Sequence, residues 1–389
     1  MSKLEELINA LCPAGVGYKT FGSFVHTNLG GGTPSKSNKD YWNGAIPWAS
    51  VKDVVREGMY MRNTLDFITP LGLQNSPSNL IPAGWLIICT RINPGLCSIT
   101  TSDVAINQDL RAIRFIENVD VKFIFYYFQT MTIIGNGTTV KGISIDELEK
   151  LLIPLPPLPV QREIVRILDN FTLLTAELTA ELTARKKQYE YYRDNLLTFK
   201  VCAALSSTDR QTDRQTVRWV ALSEVLKIKN GRDYKEYADG NVPVYGTGGV
   251  MTYIDAYAYD KPSVLIPRKG SIKKLYYVDI PFWTVDTIFY TEIHTDMVVP
   301  KFVYYYLQMV HLEDFNTAGG VPSLTQSVLN KVAFPVPTIE EQERIVAILD
   351  RFDTICNDLT SGLPAEIEAR RKQYEYYRDR ILTFKEKVA

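Results

Sequence analysis

Residues 185–200 read RKKQYEYYRDNLLTFK and residues 370–385 read RRKQYEYYRDRILTFK, differing only at Lys186/Arg371, Asn195/Arg380 and Leu196/Ile381. The chain is a tandem duplication. The match extends upstream: residues 153–161, IPLPPLPVQ, correspond to residues 334–342, FPVPTIEEQ, and Ile164-Val-x-Ile-Leu-Asp-x-Phe171 corresponds to Ile345-Val-x-Ile-Leu-Asp-x-Phe352. Fainter echoes precede the prolines, FIFYYFQ at 123–129 against FVYYYLQ at 302–308, and Ser144-Ile-x-x-Leu148 against Thr325-Gln-x-x-Leu329. Everything earlier in the two halves hardly matches. One element is built to do the same job twice, beside two elements built to do different jobs.

Pro154, Pro156, Pro157 and Pro159 oppose helix and favour extended backbone, so each repeated helix is expected to start just beyond its proline segment. From there Ile164, Leu168, Phe171, Thr175, Leu178, Leu182, Arg185, Tyr189, Tyr192, Leu196 and Phe199 alternate in steps of four and three. That is a heptad seam. In the second copy Ile345, Leu349, Phe352, Cys356, Leu359 and Leu363 begin the seam, and Ile367, Arg370, Tyr374, Tyr377, Ile381 and Phe384 resume it after a four-residue step. Gly362 and Pro364 sit at that step and are expected to bend or interrupt the helix. An exposed seam needs a cover, and the other copy is the most available one. An antiparallel pair, about 50 Å long from Ile164 to Phe199, would carry a globular region at each end.

The expected class is therefore α+β: two mixed α/β domains separated by two long helices that form an antiparallel coiled coil, in a pseudo-twofold tandem repeat. The expected boundaries are a helical segment at 1–12, a first domain at 13–150, hinge and first helix at 151–203, a second domain at 204–333, and hinge and second helix at 334–389. A hydrophobic content of 46% supports real cores over 389 residues. Turn chemistry is dense at residues 30–34, Asn43–Gly44, Pro94–Gly95, Asn136–Gly137, Asn230–Gly231, 239–241 and 246–249, with short β-rich runs such as 85–89 and 263–267 between them.

Lys+Arg (43) and Asp+Glu (44) nearly cancel, which excludes global attraction to a polyanion and leaves room only for local patches. The five cysteines, Cys12, Cys89, Cys97, Cys202 and Cys356, show no CxxC pairing, and the three histidines are scattered, so no metal site is expected. With no amino-terminal signal and no apolar run of membrane-spanning length, the expected location is the cytoplasm.

A catalytic inventory is missing. The segment 246–249, GTGG, lacks the lysine of a phosphate-cradling loop, and Pro156-Pro157 lies between leucines rather than after Asn or Asp and before an aromatic, the arrangement that holds an exocyclic amine for methyl transfer. No catalytic, cofactor-binding or metal residue is assigned. Basic-aromatic clusters are better candidates, because cations neutralise phosphates while Arg, Asn and Gln reach base edges. In the first domain these are Thr33, Ser35, Lys36, Lys39, Tyr41, Lys52, Asn107 and Gln108. Trp48 is read as core, and Asn107 and Gln108 equally fit the task of satisfying a loop backbone. In the second domain they are Lys229, Asn230, Arg232, Tyr234, Lys235, Tyr245, Thr247, Arg268, Lys269, Lys273 and Lys274; a solvated sheet face gives the same pattern. On the repeated helices Arg185, Lys187, Tyr191 and Arg193, with their copies Arg370, Lys372, Tyr376 and Arg378, are candidates for a protein interface used twice, Tyr191 and Tyr376 pointing more outward than their neighbours.

The proline segment followed by Gln-x-x-Ile-Val-x-Ile-Leu-Asp-x-Phe, the RKQYEYYRD block in duplicate and two unlike regions before them closely resemble the specificity subunit of type I restriction-modification systems, over essentially the whole chain. That resemblance implies a non-catalytic subunit whose two target recognition domains each read one half of a bipartite, asymmetric target in double-stranded DNA. It implies helices that recruit two adenine-N6 methyltransferase subunits, with two translocase-nuclease subunits as optional further partners. S-adenosylmethionine, ATP and Mg then belong to the partners. Residues 175–184, TAELTAELTA, look like the short repeat whose copy number sets the target gap in some members. The competing readings are a coiled-coil scaffold with two ligand-binding end domains, and a self-sufficient DNA-modifying enzyme, which the missing motifs disfavour.

Overall fold

The computed structural model describes residues 2–136, 141–199, 217–270, 272–316 and 323–387. Gly137 of the expected Asn136–Gly137 turn, Lys200 of the repeated block and Cys202 lie outside them. The chain divides into two compact units: unit 1 is Met1–Glu177 with Ile367–Ala389, and unit 2 is Leu178–Glu366.

Each unit holds the same sheet module. In unit 1 the strands Val25–Gly30, Leu110–Phe115, Leu86–Cys89 and Cys97–Thr100 pair antiparallel in that spatial order, with Tyr60–Met61 added parallel at the edge. In unit 2 the corresponding order is Leu226–Asn230, Ile288–Ile293, Ser263–Pro267 and Tyr276–Val278. A second sheet contains a parallel pair in both, Trp42–Ala49 beside Val104–Ile106 and Asp239–Gly246 beside Trp283–Thr284. A two-stranded ribbon closes each module, Tyr18–Thr20 with Leu152–Pro154 and Arg218–Ala221 with Ala333–Val336. The chain leaves the first strand of each module through a glycine with no room for a side chain. A Cβ on Gly31 would lie 2.0 Å from the Ile106 carbonyl oxygen, and one on Gly231 2.0 Å from that of Val285.

The first spacer is one 40-residue helix, Leu158–Leu197, about 60 Å long. It starts earlier than expected, with Pro159 in its first turn, where a missing N–H costs nothing. The second spacer is two helices, Ile339–Asn357 and Leu363–Ile381. Its interruption begins before Gly362 because Asp358 leaves the helix. The Asp358 carboxylate accepts the Thr360 N–H (2.7 Å) and the Thr360 and Ser361 hydroxyls, which hold it well below the usual carboxylate range. Gly362 is then buried, where a Cβ would meet the Thr354 carbonyl oxygen at 2.4 Å. Leu359, expected on the seam, is 80% exposed in this break.

The spacers are used crosswise. Unit 1 contains the hinge-proximal part of the first spacer and the distal part of the second; unit 2 contains the converse. In unit 1 Phe171 stacks on Tyr377 (5.7 Å), and Leu168 shares a core with Phe123, Ile124, Leu382 and Phe384. In unit 2 Phe352 stacks on Tyr192 (5.5 Å), and Leu349 shares a core with Phe302, Val303 and Leu197. Near their ends the distal blocks bury Leu197 and Leu382, at 0% and 3% exposure, and the first block also buries the seam residue Tyr189. Their neighbours Leu196 and Ile381, expected on the seam, are half-buried, because a 3.6-residue helix drifts off a 3.5-residue repeat and the last turn docks on a domain rather than on another helix.

Candidate nucleic-acid interface

The framework that presents the candidate surfaces is the same in both units. Gln161 is fully buried: its Oε1 accepts the Asp120 N–H (2.8 Å) and its Nε2 donates to the Asn118 and Pro156 carbonyls (3.1 and 2.8 Å). Gln342 repeats this with the Val299 N–H (2.8 Å) and the Met297 and Pro337 carbonyls (3.2 and 2.9 Å). About two turns further on, Asp169 accepts from Tyr126 Oη and Lys122 Nζ, both at 2.7 Å, and Asp350 accepts from Tyr305 Oη (2.5 Å) and Lys301 Nζ (2.8 Å). Burial, followed by the neighbouring carboxylate, pushes both tyrosine hydroxyls far up. The distal blocks lock on in parallel ways: Tyr374 Oη donates to Gln129 (3.2 Å) and Tyr189 Oη to Gln308 (3.1 Å), with Arg378 and Arg193 each 5.7 Å over those rings. These groups were missed as a set from sequence, although Gln161/Gln342 and Asp169/Asp350 occupy matching places in both copies.

In unit 1 the structure brings Thr33, Asn107 and Gln108 together. Thr33 Oγ1 donates to Gln108 Oε1 at 2.5 Å, and the Gly32 N–H reaches the Ile106 carbonyl at 3.0 Å. Asn107 is 6% exposed; its side chain accepts the Asp109 N–H and donates to the Asp109 carboxylate, both at 3.1 Å. It serves the loop. Gln108 is exposed. Lys52 lies in the first turn of Val51–Glu57, after Ala49, whose carbonyl takes the Asn107 N–H (3.0 Å). Ser35 and Lys36 are exposed in the same loop as Thr33, where the Ser35 carbonyl accepts Trp42 Nε1 (3.1 Å). Exposed Lys39 and half-buried Tyr41 stand at the opposite end of strand Trp42–Ala49. Trp48 is core, its Nε1 donating to the Gly32 carbonyl at 3.0 Å.

In unit 2 a basic-aromatic group surrounds the turn between Asp239–Gly246 and Gly249–Ile254. Thr247 Oγ1 and the Arg268 N–H both donate to the Thr287 carbonyl (3.3 and 2.9 Å), and Tyr276 Oη donates to the Thr247 carbonyl (3.0 Å). Lys274 lies 5.3 Å over the Tyr276 ring, Arg268 5.8 Å over Phe289, and Lys269 is exposed. Tyr245 packs beside Tyr276 at 5.9 Å, and burial pushes its hydroxyl up. The other candidates lie on the sheet or the loop after its first strand. Lys229 pairs with Glu292 (3.4 Å), and Asn230 accepts from Gln326 (3.3 Å). The Arg232 carbonyl takes Trp283 Nε1 (3.0 Å), Tyr234 packs on the Trp283 cluster, and Lys235 is 3.8 Å from Asp233. Lys273 pairs with Glu313 (3.1 Å). Exposed pairs of this kind are worth only about 0–1 kcal/mol.

On the spacers, Tyr191 and Tyr376 are 66% and 60% exposed. Exposed Arg185 bonds Gln188 (3.0 Å) and Glu181 (3.4 Å), Arg370 bonds Gln373 (3.0 Å), Lys187 is exposed, and Lys372 lies 3.7 Å from Glu368. Arg193 and Arg378 are largely occupied: their side chains are 11% and 17% exposed and paired with Asp194 and Asp379. Among the described residues no group of His, Cys, Asp and Glu is arranged to hold a metal, and no helix is long and apolar enough to cross a membrane.

The chain is 31% identical over 361 residues to the Escherichia coli type I restriction enzyme EcoprrI specificity subunit, covering 85% of this chain and 86% of the relative. A second Escherichia coli type I restriction enzyme specificity subunit is 33% identical over 300 residues, 68% of this chain and 71% of that one. Among solved structures, the S subunit of a type I restriction-modification system from M. genitalium superposes with a TM-score of 0.56 at 16% identity, covering 94% of this chain and 96% of that one. A chain from a structural study of complex assembly in the type I system superposes with 0.64 at 19% identity, covering 95% and 97%. At such identities the likeness speaks for the fold. Residues 13–185 and 215–369 match the family described as type I restriction modification DNA specificity domain, and the chain belongs to that family.

Proposed function

We propose that this chain is the non-catalytic DNA-reading subunit of a cytoplasmic type I restriction-modification complex, with each sheet module reading one half of a bipartite, asymmetric duplex target. The observation that carries this is one framework presenting two unlike surfaces, the polar Thr33–Gln108 group in unit 1 and the basic-aromatic group around Thr247 in unit 2. The exposed Tyr191 and Tyr376 faces then recruit two adenine-N6 methyltransferase subunits, and two translocase-nuclease subunits join in complexes that cleave. S-adenosylmethionine, ATP and Mg act on those partners.

With a net charge of -1, the isolated chain holds duplex weakly, and the methyltransferase subunits supply the remaining phosphate contacts. Duplex binding measured across a salt series, with and without the methyltransferase subunit, tests this. The expected result is affinity that rises on assembly and falls linearly in log–log form with salt, as counterion release requires. Equal affinity in both states would contradict the division of labour, and no duplex binding in either would favour the scaffold reading.

A further inference from the structure

The edge strand of the three-stranded sheet in unit 2 carries large side chains that the fold leaves about half exposed. Val250, Met251 and Tyr253 of Gly249–Ile254 are 45%, 59% and 52% exposed. Pairing with the neighbouring strand runs Tyr253 to Pro243, Thr252 to Val244 and Val250 to Tyr245, which leaves Met251 as the extra residue of a bulge. A bulge re-aims a side chain and bends the strand that carries it. The turn at the end of this ribbon is bordered by cations: Tyr276 Oη holds the Thr247 carbonyl (3.0 Å) while Lys274 covers the Tyr276 ring (5.3 Å), and a Cβ on Gly270, next to Lys269, would lie 4.0 Å from Thr247 Cγ2.

Resting on the DNA-reading function above, we propose that the ribbon Asp239–Gly246/Gly249–Ile254 enters the major groove, where Met251 and Tyr253 read the methyl groups of thymine. The outer two strands of this sheet make a ribbon of the kind that groove admits, since the third strand, Trp283–Thr284, pairs only at Val244 and Tyr245 on the side away from Gly249–Ile254; the thymine C5-methyl is the groove's one apolar feature. Met and Tyr by themselves suit a protein partner as well; it is the cations Lys269 and Lys274, bordering the turn of the same ribbon, that match a polyanion with apolar points. Because both side chains face solvent, truncating them leaves the core intact.

The test uses the chain assembled with its methyltransferase subunit. N6-methyladenine mapping first defines the motif; duplexes carrying that motif are then prepared with each thymine replaced in turn by deoxyuridine, which removes only the methyl. The expected result is a loss of affinity of roughly threefold to tenfold at one or more positions confined to one half-site, absent in Met251→Ala or Tyr253→Ala, while the other half-site is still read by both variants. A motif whose affinity is indifferent to every such replacement, or losses that persist unchanged in both variants, would overturn the proposal while leaving DNA reading intact. Absence of any sequence preference would remove DNA reading itself, and this proposal with it.

Discussion

Unit 1 and unit 2 repeat each other where they hold the spacers and diverge where they face solvent. Asp169 and Asp350 each take a tyrosine and a lysine at corresponding places, Gln161 and Gln342 each bind one N–H and two carbonyls, and the distal tyrosines each bond a corresponding glutamine, Gln129 or Gln308. By contrast, unit 1 places Asp66–Ile68 on the edge where unit 2 places the bulged strand Gly249–Ile254, and Thr33–Gln108 has no counterpart in the cation-bordered turn around Thr247. A duplicated chain can change what it reads freely only while the fixed contacts stay out of the reading surface. Here they sit in the spacer joints.

The crosswise joint gives the largest expected effect. Ending the chain after Glu366 removes the segment that supplies Leu382 and Phe384 to unit 1 and the backbone bonds between Val16 and residues 385 and 387 (2.8 and 3.0 Å). Hydrogen exchange is expected to show unit 1 open and unit 2 protected, although the cut lies in the second half of the sequence; the opposite pattern would refute the crosswise assignment. Single truncations sharpen the same point. Leu197→Ala is expected to cost unit 2, and Leu382→Ala unit 1, about 2–4 kcal/mol each, read as the loss of exchange protection in the unit named.

Tyr126→Phe and Tyr305→Phe each remove one hydrogen bond to a carboxylate, worth about 1.5–3 kcal/mol before discounting for partial exposure. Denaturant melts resolved by unit should show similar losses in the two units. Unequal losses would mean that the duplicated joint is not energetically duplicated.

Alkaline pH separates the units more gently. Burial raises the hydroxyl pKa of Tyr126, Tyr127 and Tyr374 in unit 1, and of Tyr189, Tyr245, Tyr259, Tyr277, Tyr304, Tyr305 and Tyr306 in unit 2, with Tyr304 and Tyr306 at about 12. A raised folded-state value means stability that is complete below the unfolded pKa of about 10 and is lost as pH climbs through 12. Limited proteolysis at pH 8 and at about pH 10.5 should therefore find unit 2 weakening first.

The duplication, the two domain types and the spacer break were legible because Gly362, Pro364 and near-identical blocks leave little choice. The crosswise docking was not: two blocks differing at three positions fit either domain equally well by pattern, and only tertiary packing selects. For the same reason the pattern pointed to Leu196 and Ile381 where the fold buries Leu197 and Leu382. The candidate surface was legible as clusters of residue types, yet sequence could not show that Asn107 is consumed by its own loop or that Lys229 and Lys273 already have acidic partners. Met251 and Tyr253 read as ordinary strand residues; their interest comes from exposure on an edge, which no local pattern encodes.

Whether two different readers share one duplicated spacer can be measured by inserting one TAEL unit at residues 175–182 of the first spacer and mapping N6-methyladenine in cells that also express the methyltransferase subunit. Four residues add about 6 Å and a net rotation near 40°, against about 3.4 Å and 34–36° for one base pair. The rotations agree better than the lengths. The variant is expected to methylate the same two half-sites as the parent with a gap longer by about one base pair. An unchanged gap, or a motif whose half-sites themselves change, would contradict it.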